Sequence, residues 1–211
     1  MKLRQSVLWQ LGMIGFTLVY DLVVITRLPE RVPTHWNIHG QVDAYGSRWT
    51  TPLIMLGVLV LMLVLTVFLP TVSPKQFEVS RSGAAYGRIM VLVSALMAVM
   101  NIVILQATLG ANFDIGRAMF TILFAFFAVL GLWIGKLKRN LYLGIRTPWT
   151  LADERVWEQT HKQAGKLWVW AGTIGALTTL LGAPYFVPGA MFLVILAPVA
   201  SSYFIYKRIV R

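Results

Sequence analysis

Six stretches of about 20 mostly apolar residues punctuate this chain, each long enough to cross a bilayer as a helix. They run over roughly 6–26, 51–70, 86–108, 117–135, 166–182 and 186–206, with ends fixed only to within a few residues. The second, Thr51 to Leu69, carries no charge and is expected to stop at Pro70. The third has Asn101 and Gln106 as its strongly polar interior residues. The short run "GAPYFVPG" suits the turn of a helical hairpin between the fifth and sixth, and Pro198 is expected to kink the sixth. Composition agrees: 57% of residues are apolar and 13% charged. That excludes a water-soluble enzyme and a disordered chain alike. The absence of cysteine removes disulfides, thiolate nucleophiles, iron–sulfur clusters and every cysteine-containing zinc site.

The charge sets a topology. Lys and Arg number 19 against 8 Asp and Glu, a net charge of +11. With the N-terminus inside, 15 of the 19 basic residues fall on inner segments, and only Arg27, Arg31, Arg48 and Arg117 fall outside. The positive-inside rule therefore places both termini in the cytoplasm, and the excess charge reads as a topology signal, not as a nucleic-acid footprint. The start "MKLRQ" followed by an apolar run resembles a signal peptide, but no small-residue cleavage site follows, so it reads as an uncleaved first helix. Trp49 suits the outer interface, and Trp133, Trp149, Trp157, Trp168 and Trp170 the inner one. Gly131 with Gly135, and Gly172 with Ala176, have the spacing that lets helix backbones approach closely.

Two connections are more than connectors. The outer one, from about Arg27 to Thr50, exceeds ordinary loop length, and its Pro, Gly, Trp and Tyr content predicts a folded loop. His35, His39 and Asp43 recur at a spacing of four, which on a helix would align two imidazoles and a carboxylate for a metal. Gly40 argues against a helix there, so turn-stabilising hydrogen bonds and pH sensing stand as the other readings. The inner connection, from about Lys136 to Lys166, holds seven Lys and Arg against three acids and is expected to be drawn to anionic headgroups. Gly144 reads as a helix stop. Thr147 and Pro148 read as an N-cap followed by a first-turn proline, with Thr150 and Asp153 as an alternative cap. The spacing of Val156, Trp157, Thr160, Ala164, Leu167 and Trp168 predicts an amphipathic helix from about 149 to 163, lying on the inner surface before it feeds the fifth span. It serves either as a topology-setting helix or as a docking surface for a cytoplasmic partner.

Inside the bilayer, Asp21 is expected to be functional by default, since burying it unpaired costs at least ~2.5 kcal/mol. Arg117 is its expected partner, and Asn101 and Gln106 would complete a polar cluster under the outer loop. Interhelical hydrogen bonding is the plainer role for that cluster.

The run "LPERVPTHWNIHGQVDAYGSRW" resembles the N-terminal domain of unknown function that precedes the SdpI module, and "NLYLGIRTPWTLADERVWEQTHKQAGKLW" resembles the signature of the SdpI immunity-protein family. The resemblance implies a multi-pass bacterial plasma-membrane protein that gives resistance to a secreted peptide toxin and holds a cytoplasmic transcriptional repressor at the membrane. His35, Asn37, Gly40, Asp43 and Tyr45 match it outside, with His39 lying among them. Asn140, Gly144, Arg146, Thr147, Pro148, Trp149, Thr150, Trp157, His161 and Gly165 match it inside. The expected fold is all-α and polytopic, with six transmembrane helices, both termini inside, one structured outer loop and one amphipathic inner-loop helix. Residues 1–70 would form an N-terminal two-helix hairpin and residues 71–211 a four-helix module. The expected partners are membrane lipids, a peptide toxin outside and a repressor inside, with no direct nucleic acid. No cofactor and no enzymatic activity are expected, because no nucleophile–base pair or full ligand set is visible. A small-solute or ion transporter resting on Asp21, Asn101, Gln106 and Arg117 stands as an alternative. So does a metal-dependent membrane enzyme resting on His35, His39 and Asp43.

Overall fold

The computed structural model describes residues 2–37, 41–182 and 187–210. Helix α1 (Leu3–Val24) passes through a 3-10 turn into two antiparallel strands, β1 (Arg31–Trp36) and β2 (Val42–Ser47). Then come α2 (Thr50–Val72), α3 (Ala84–Thr108), α4 (Ile115–Ile134), the short α5 (Pro148–Ala152), α6 (Glu154–Leu180) and α7 (Val187–Val210). The helical expectation holds, with one addition: the outer loop is a β-hairpin. The proposed turn between the last two spans lies largely outside the described residues.

Among the described residues, five helices, α1, α2, α3, α4 and α7, are long and apolar enough to cross a membrane. Helix α6 is continuous but polar in its first half. It runs antiparallel along α4, where glycines remove the side chains between them: a Cβ on Gly131 would lie 2.6 Å from the Gly165 carbonyl oxygen, and one on Gly172 2.5 Å from the Ala128 nitrogen. The glycine spacing in the fourth and fifth spans thus marks a real backbone contact. Trp168 donates from Nε1 to the Val194 carbonyl at 2.6 Å, tying α6 to α7.

Outward faces are apolar, as lipid requires, and some inward faces are polar. Helix α2 exposes Leu53, Ile54, Leu61, Val64 and Phe68. Helix α1 buries Ser6, Gln10, Thr17 and Asp21 along one face, four or seven residues apart, and that face packs on α3. Gln10 donates to the Ser94 hydroxyl at 2.9 Å.

Two expectations about helix ends need correction. Helix α2 does not stop at Pro70 but continues to Val72. Pro70 has no N–H for the Thr66 carbonyl, and the Tyr86 hydroxyl of α3 donates to that oxygen at 2.9 Å instead. The helix expected over 149–163 is broken. Asp153 is extended (φ −130°, ψ 127°), ending α5 and capping α6. The apolar stripe of the amphipathic first half of α6 is not turned toward lipid. It is buried inside the protein: Val156 and Trp157 are fully buried, and Trp157, Ala164 and Trp168 join Leu130, Ile134, Leu137 and Ile145 in one cluster. Trp157 and Trp168 are therefore core residues, whereas Trp49 and Trp170 are exposed.

Candidate functional site

Helix α3 carries a motif-rich segment at each end. At its C-terminal end, Leu105 packs with Val24, Ile25, Leu28 and Val32, which anchors the β-hairpin. At its N-terminal end, Ala85 and Ile89 share a cluster with Leu137, Ile145 and Trp157 of the basic loop and α6. Twenty-five residues of helix separate these ends by about 37 Å.

The hairpin presents polar side chains from a short anchored base. Arg31 pairs with Ser47 and Trp36 with Val42, with irregularities on both sides of His35. Near the tip the Asn37 amide donates to the Gln41 carbonyl at 2.9 Å, and the Gln41 amide donates to Asn37 Oδ1 at 3.0 Å. Across the strands His35 Nδ1 lies 2.5 Å from Asp43 Oδ1, with both side chains well exposed, as is Tyr45. Gly46 is required by space: a Cβ there would lie 2.9 Å from Thr34 Cγ2 and from Thr50 Oγ1. His39 and Gly40 lie outside the described residues. Among the described residues no three His, Asp or Glu side chains gather as a metal site. His35 and Asp43 bond each other across the two strands.

The expected Asp21–Arg117 pair does not form. Asp21 faces α3, where Asn101 Nδ2 donates to its Oδ1 at 2.7 Å. Arg117 begins α4 on the side of α6, with its guanidinium beside Gly182, just past the C-terminal end of α6 where exposed carbonyls favour a cation. One turn from Asp21's partner, Gln106 Nε2 donates to the Tyr20 hydroxyl at 2.9 Å. Asn101 and Gln106 thus do join α1 beneath the hairpin.

In the basic loop the sequence-predicted residues converge on one buried construction. Asn140 is fully buried and its amide is used four times. Its Oδ1 accepts from the Tyr142 and Leu143 amides at 2.8 and 2.7 Å, and its Nδ2 donates to the Lys138 and Leu143 carbonyls at 2.9 and 3.2 Å. Gly144 is no helix stop. Its φ is +106°, and a Cβ there would overlap the ring of His161. His161 Nδ1 donates to the Trp157 carbonyl at 2.8 Å, which leaves Nε2 as the acceptor for the Ile145 amide at 2.9 Å. This bonding needs the neutral ring, and burial pushes its pKa down to about 4. Trp157 stacks on the same ring with centroids 4.0 Å apart and donates from Nε1 to the Leu137 carbonyl at 2.8 Å.

The capping expectation holds and extends. The Thr147 hydroxyl accepts from the Thr150 amide at 3.3 Å, Pro148 occupies the first turn, and the Thr150 hydroxyl donates to the Ile145 carbonyl at 2.8 Å. Asp153 caps α6, accepting from the Arg155 amide at 2.7 Å, and the Arg155 guanidinium beside it lowers its pKa to about 2. Trp149 Nε1 donates to the Ser202 hydroxyl at 2.6 Å, which staples α5 to α7. Sequence reasoning missed Ser202; its only signal was a pair of serines in an otherwise apolar span. Arg146 donates to the Leu141 carbonyl and stays exposed. Beyond this construction, Arg155, Lys162 and Lys166 line a groove that ends at Ile209 of α7, and Lys162 and Lys138 approach Glu158 from either side.

Residues 136–205 match the model of the SdpI/YfhL protein family, and residues 12–60 match a domain of unknown function, DUF1648. The first match takes in the basic loop, α5, α6 and most of α7, and the second takes in the hairpin. Over 192 residues, 90% of each chain, the protein is 26% identical to the "Immunity protein SdpI" of Bacillus subtilis (strain 168). No solved structure matches the chain.

Proposed function

We propose that this chain is a multi-pass bacterial membrane protein of the SdpI/YfhL family and that it gives its cell immunity to a secreted peptide toxin. In this reading it crosses the membrane six times with both termini inside. The second half of α6, from about residue 166, is the fifth crossing in chain order, beside the five helices named above, and the glycine contacts hold it against α4. The hairpin then faces outward and meets the peptide. The basic loop faces the cytoplasm, where the Arg155–Lys166 groove meets anionic lipid or an acidic face of a transcriptional repressor held at the membrane.

The observation that carries the reading is the position of the two matched segments on opposite ends of α3. A ligand at the hairpin bears on Leu105, and the basic loop bears on Ala85 and Ile89 of the same helix. Coupling between the two ends requires a two-state change, and one continuous helix packed at both ends is the element through which it would act.

The test is survival. A bacterium sensitive to a secreted peptide toxin should survive it when this protein is expressed, and a cytoplasmic repressor that the protein holds should move to the membrane fraction when the peptide is present. Unchanged sensitivity, with the protein confirmed in the membrane, overturns the immunity reading. A regulator that stays soluble with the peptide present removes the repressor-holding part alone.

A further inference from the structure

The seam between α1 and α3 holds a carboxylate that forms no ion pair among the described residues. Asp21 is 5% exposed and Asn101 is fully buried. Asn101 Nδ2 donates to Asp21 Oδ1 at 2.7 Å, while the second oxygen of each group, Asp21 Oδ2 and Asn101 Oδ1, is buried without a hydrogen-bond partner. Both orphans are acceptors. The helices packed on α1 offer no charge to balance Asp21: α2 contains no titratable side chain, and α3 contains only Tyr86 and Arg88. Arg88 lies thirteen residues from Asn101, about 20 Å along the helix. On α1 itself the neighbouring titratable group is Tyr20, which is engaged by Gln106. Beyond α1, Arg27 lies in the following turn, and Arg48 reaches back from the hairpin base to the Leu28 carbonyl at 3.5 Å.

We propose that Asp21 and Asn101 form a proton-binding site, in which one proton taken from water sits on Asp21 Oδ2 and is donated to Asn101 Oδ1. A carboxylic acid and a primary amide then close a ring of two hydrogen bonds, each group donating once and accepting once, and both orphans are satisfied. Ligand count favours a proton over a metal cation. A sodium or calcium ion needs about six oxygens, and this site offers two. The uncharged pair also removes the unbalanced charge from the helix seam that holds the hairpin's base. This inference does not depend on the toxin-resistance reading.

The test is infrared difference spectroscopy on the full-length protein in lipid nanodiscs at neutral pH, wild type against Asp21→Asn. The wild type should show the C=O stretch of a protonated carboxylic acid, shifted in D2O, absent in Asp21→Asn and displaced in Asn101→Ala. Carboxylate stretches in its place overturn the proposal. Asn at position 21 can form the same two-bond ring with Asn101, so Asp21→Asn should fold with an unchanged thermal midpoint. If that variant fails to fold, wild-type protein carrying 13C-labelled aspartate reads the same band by its isotope shift. A wild-type midpoint that rises with sodium relative to choline, and loses that rise in Asp21→Asn, also overturns the proposal by assigning the site to a metal cation.

Discussion

The hairpin and the basic loop read alike in the sequence, as polar connections rich in Gly, Pro and Trp, yet the structure uses them in opposite ways. The basic loop is turned inward. Asn140, Thr150, Trp157 and His161 are fully buried, and nearly every polar atom among them is bonded to backbone or to a neighbouring cap. The hairpin is turned outward. Val32 and Leu28 bury its base, while His35, Asp43 and Tyr45 face solvent. A motif-rich loop is therefore not automatically a contact surface. In the basic loop most matched residues set the shape, and a partner would touch what that shape exposes, such as Arg146, Arg155 and Lys162.

The contrast can be broken at its tightest point. Gly144→Ala adds a methyl group against His161 at a positive φ, and so combines backbone strain with loss of the Ile145–His161 bond. We expect about 3 kcal/mol of destabilisation or more. A thermal midpoint equal to wild type would show that the loop is not packed as described. His161 gives a comparable effect through pH. Its folded pKa of about 4 lies below the ordinary value of 6.5, so the unfolded chain binds the extra proton as pH falls between them. Stability is complete above pH 6.5 and declines toward pH 4 by about 3 kcal/mol. Unfolding measured across that range should slope for wild type and flatten for His161→Gln; equal slopes would remove His161 as the cause. Asn140→Ala leaves the Tyr142 and Leu143 amides without their acceptor, and about 2 kcal/mol should be lost in denaturant titration. A loss below the scatter of surface variants would sink the buried-turn reading of Asn140.

The helices were legible because lipid imposes a length and a polarity that no local preference overrides. The glycine spacing was legible because only a missing Cβ lets backbones meet as Gly131 and Gly165 do. What the sequence concealed was direction. The periodic stripe through Trp157 and Trp168 fits a membrane surface or a protein interior equally well, and only the loop folding back over it decides for the interior. The Asp21 partner was misread because opposite charge on the same side of the membrane suggested Arg117, while the facing residue on α3 was a neutral amide. The hairpin was hidden because Pro33 and the irregular pairing around His35 disrupt the alternation by which a strand is recognised. Ser202 was hidden because a serine in a spanning helix is usually content with its own backbone. Here it also receives Trp149 from another element.

The smallest stability effect sharpens the comparison most. His35 and Asp43 meet on the solvent side of the hairpin, with side chains 68% and 44% exposed. Exposed pairs of this kind contribute little, so His35→Ala and Asp43→Ala should each change stability by less than about 1 kcal/mol. If the hairpin is the surface that meets a secreted peptide, the same variants should reduce survival of toxin-challenged cells at equal protein level in the membrane. The pairing of a small change in midpoint with a large change in survival is the signature of presentation without support. A midpoint loss as large as that of Asn140→Ala would instead make the pair a structural clamp like those of the basic loop. Unchanged survival would move peptide recognition away from His35 and Asp43.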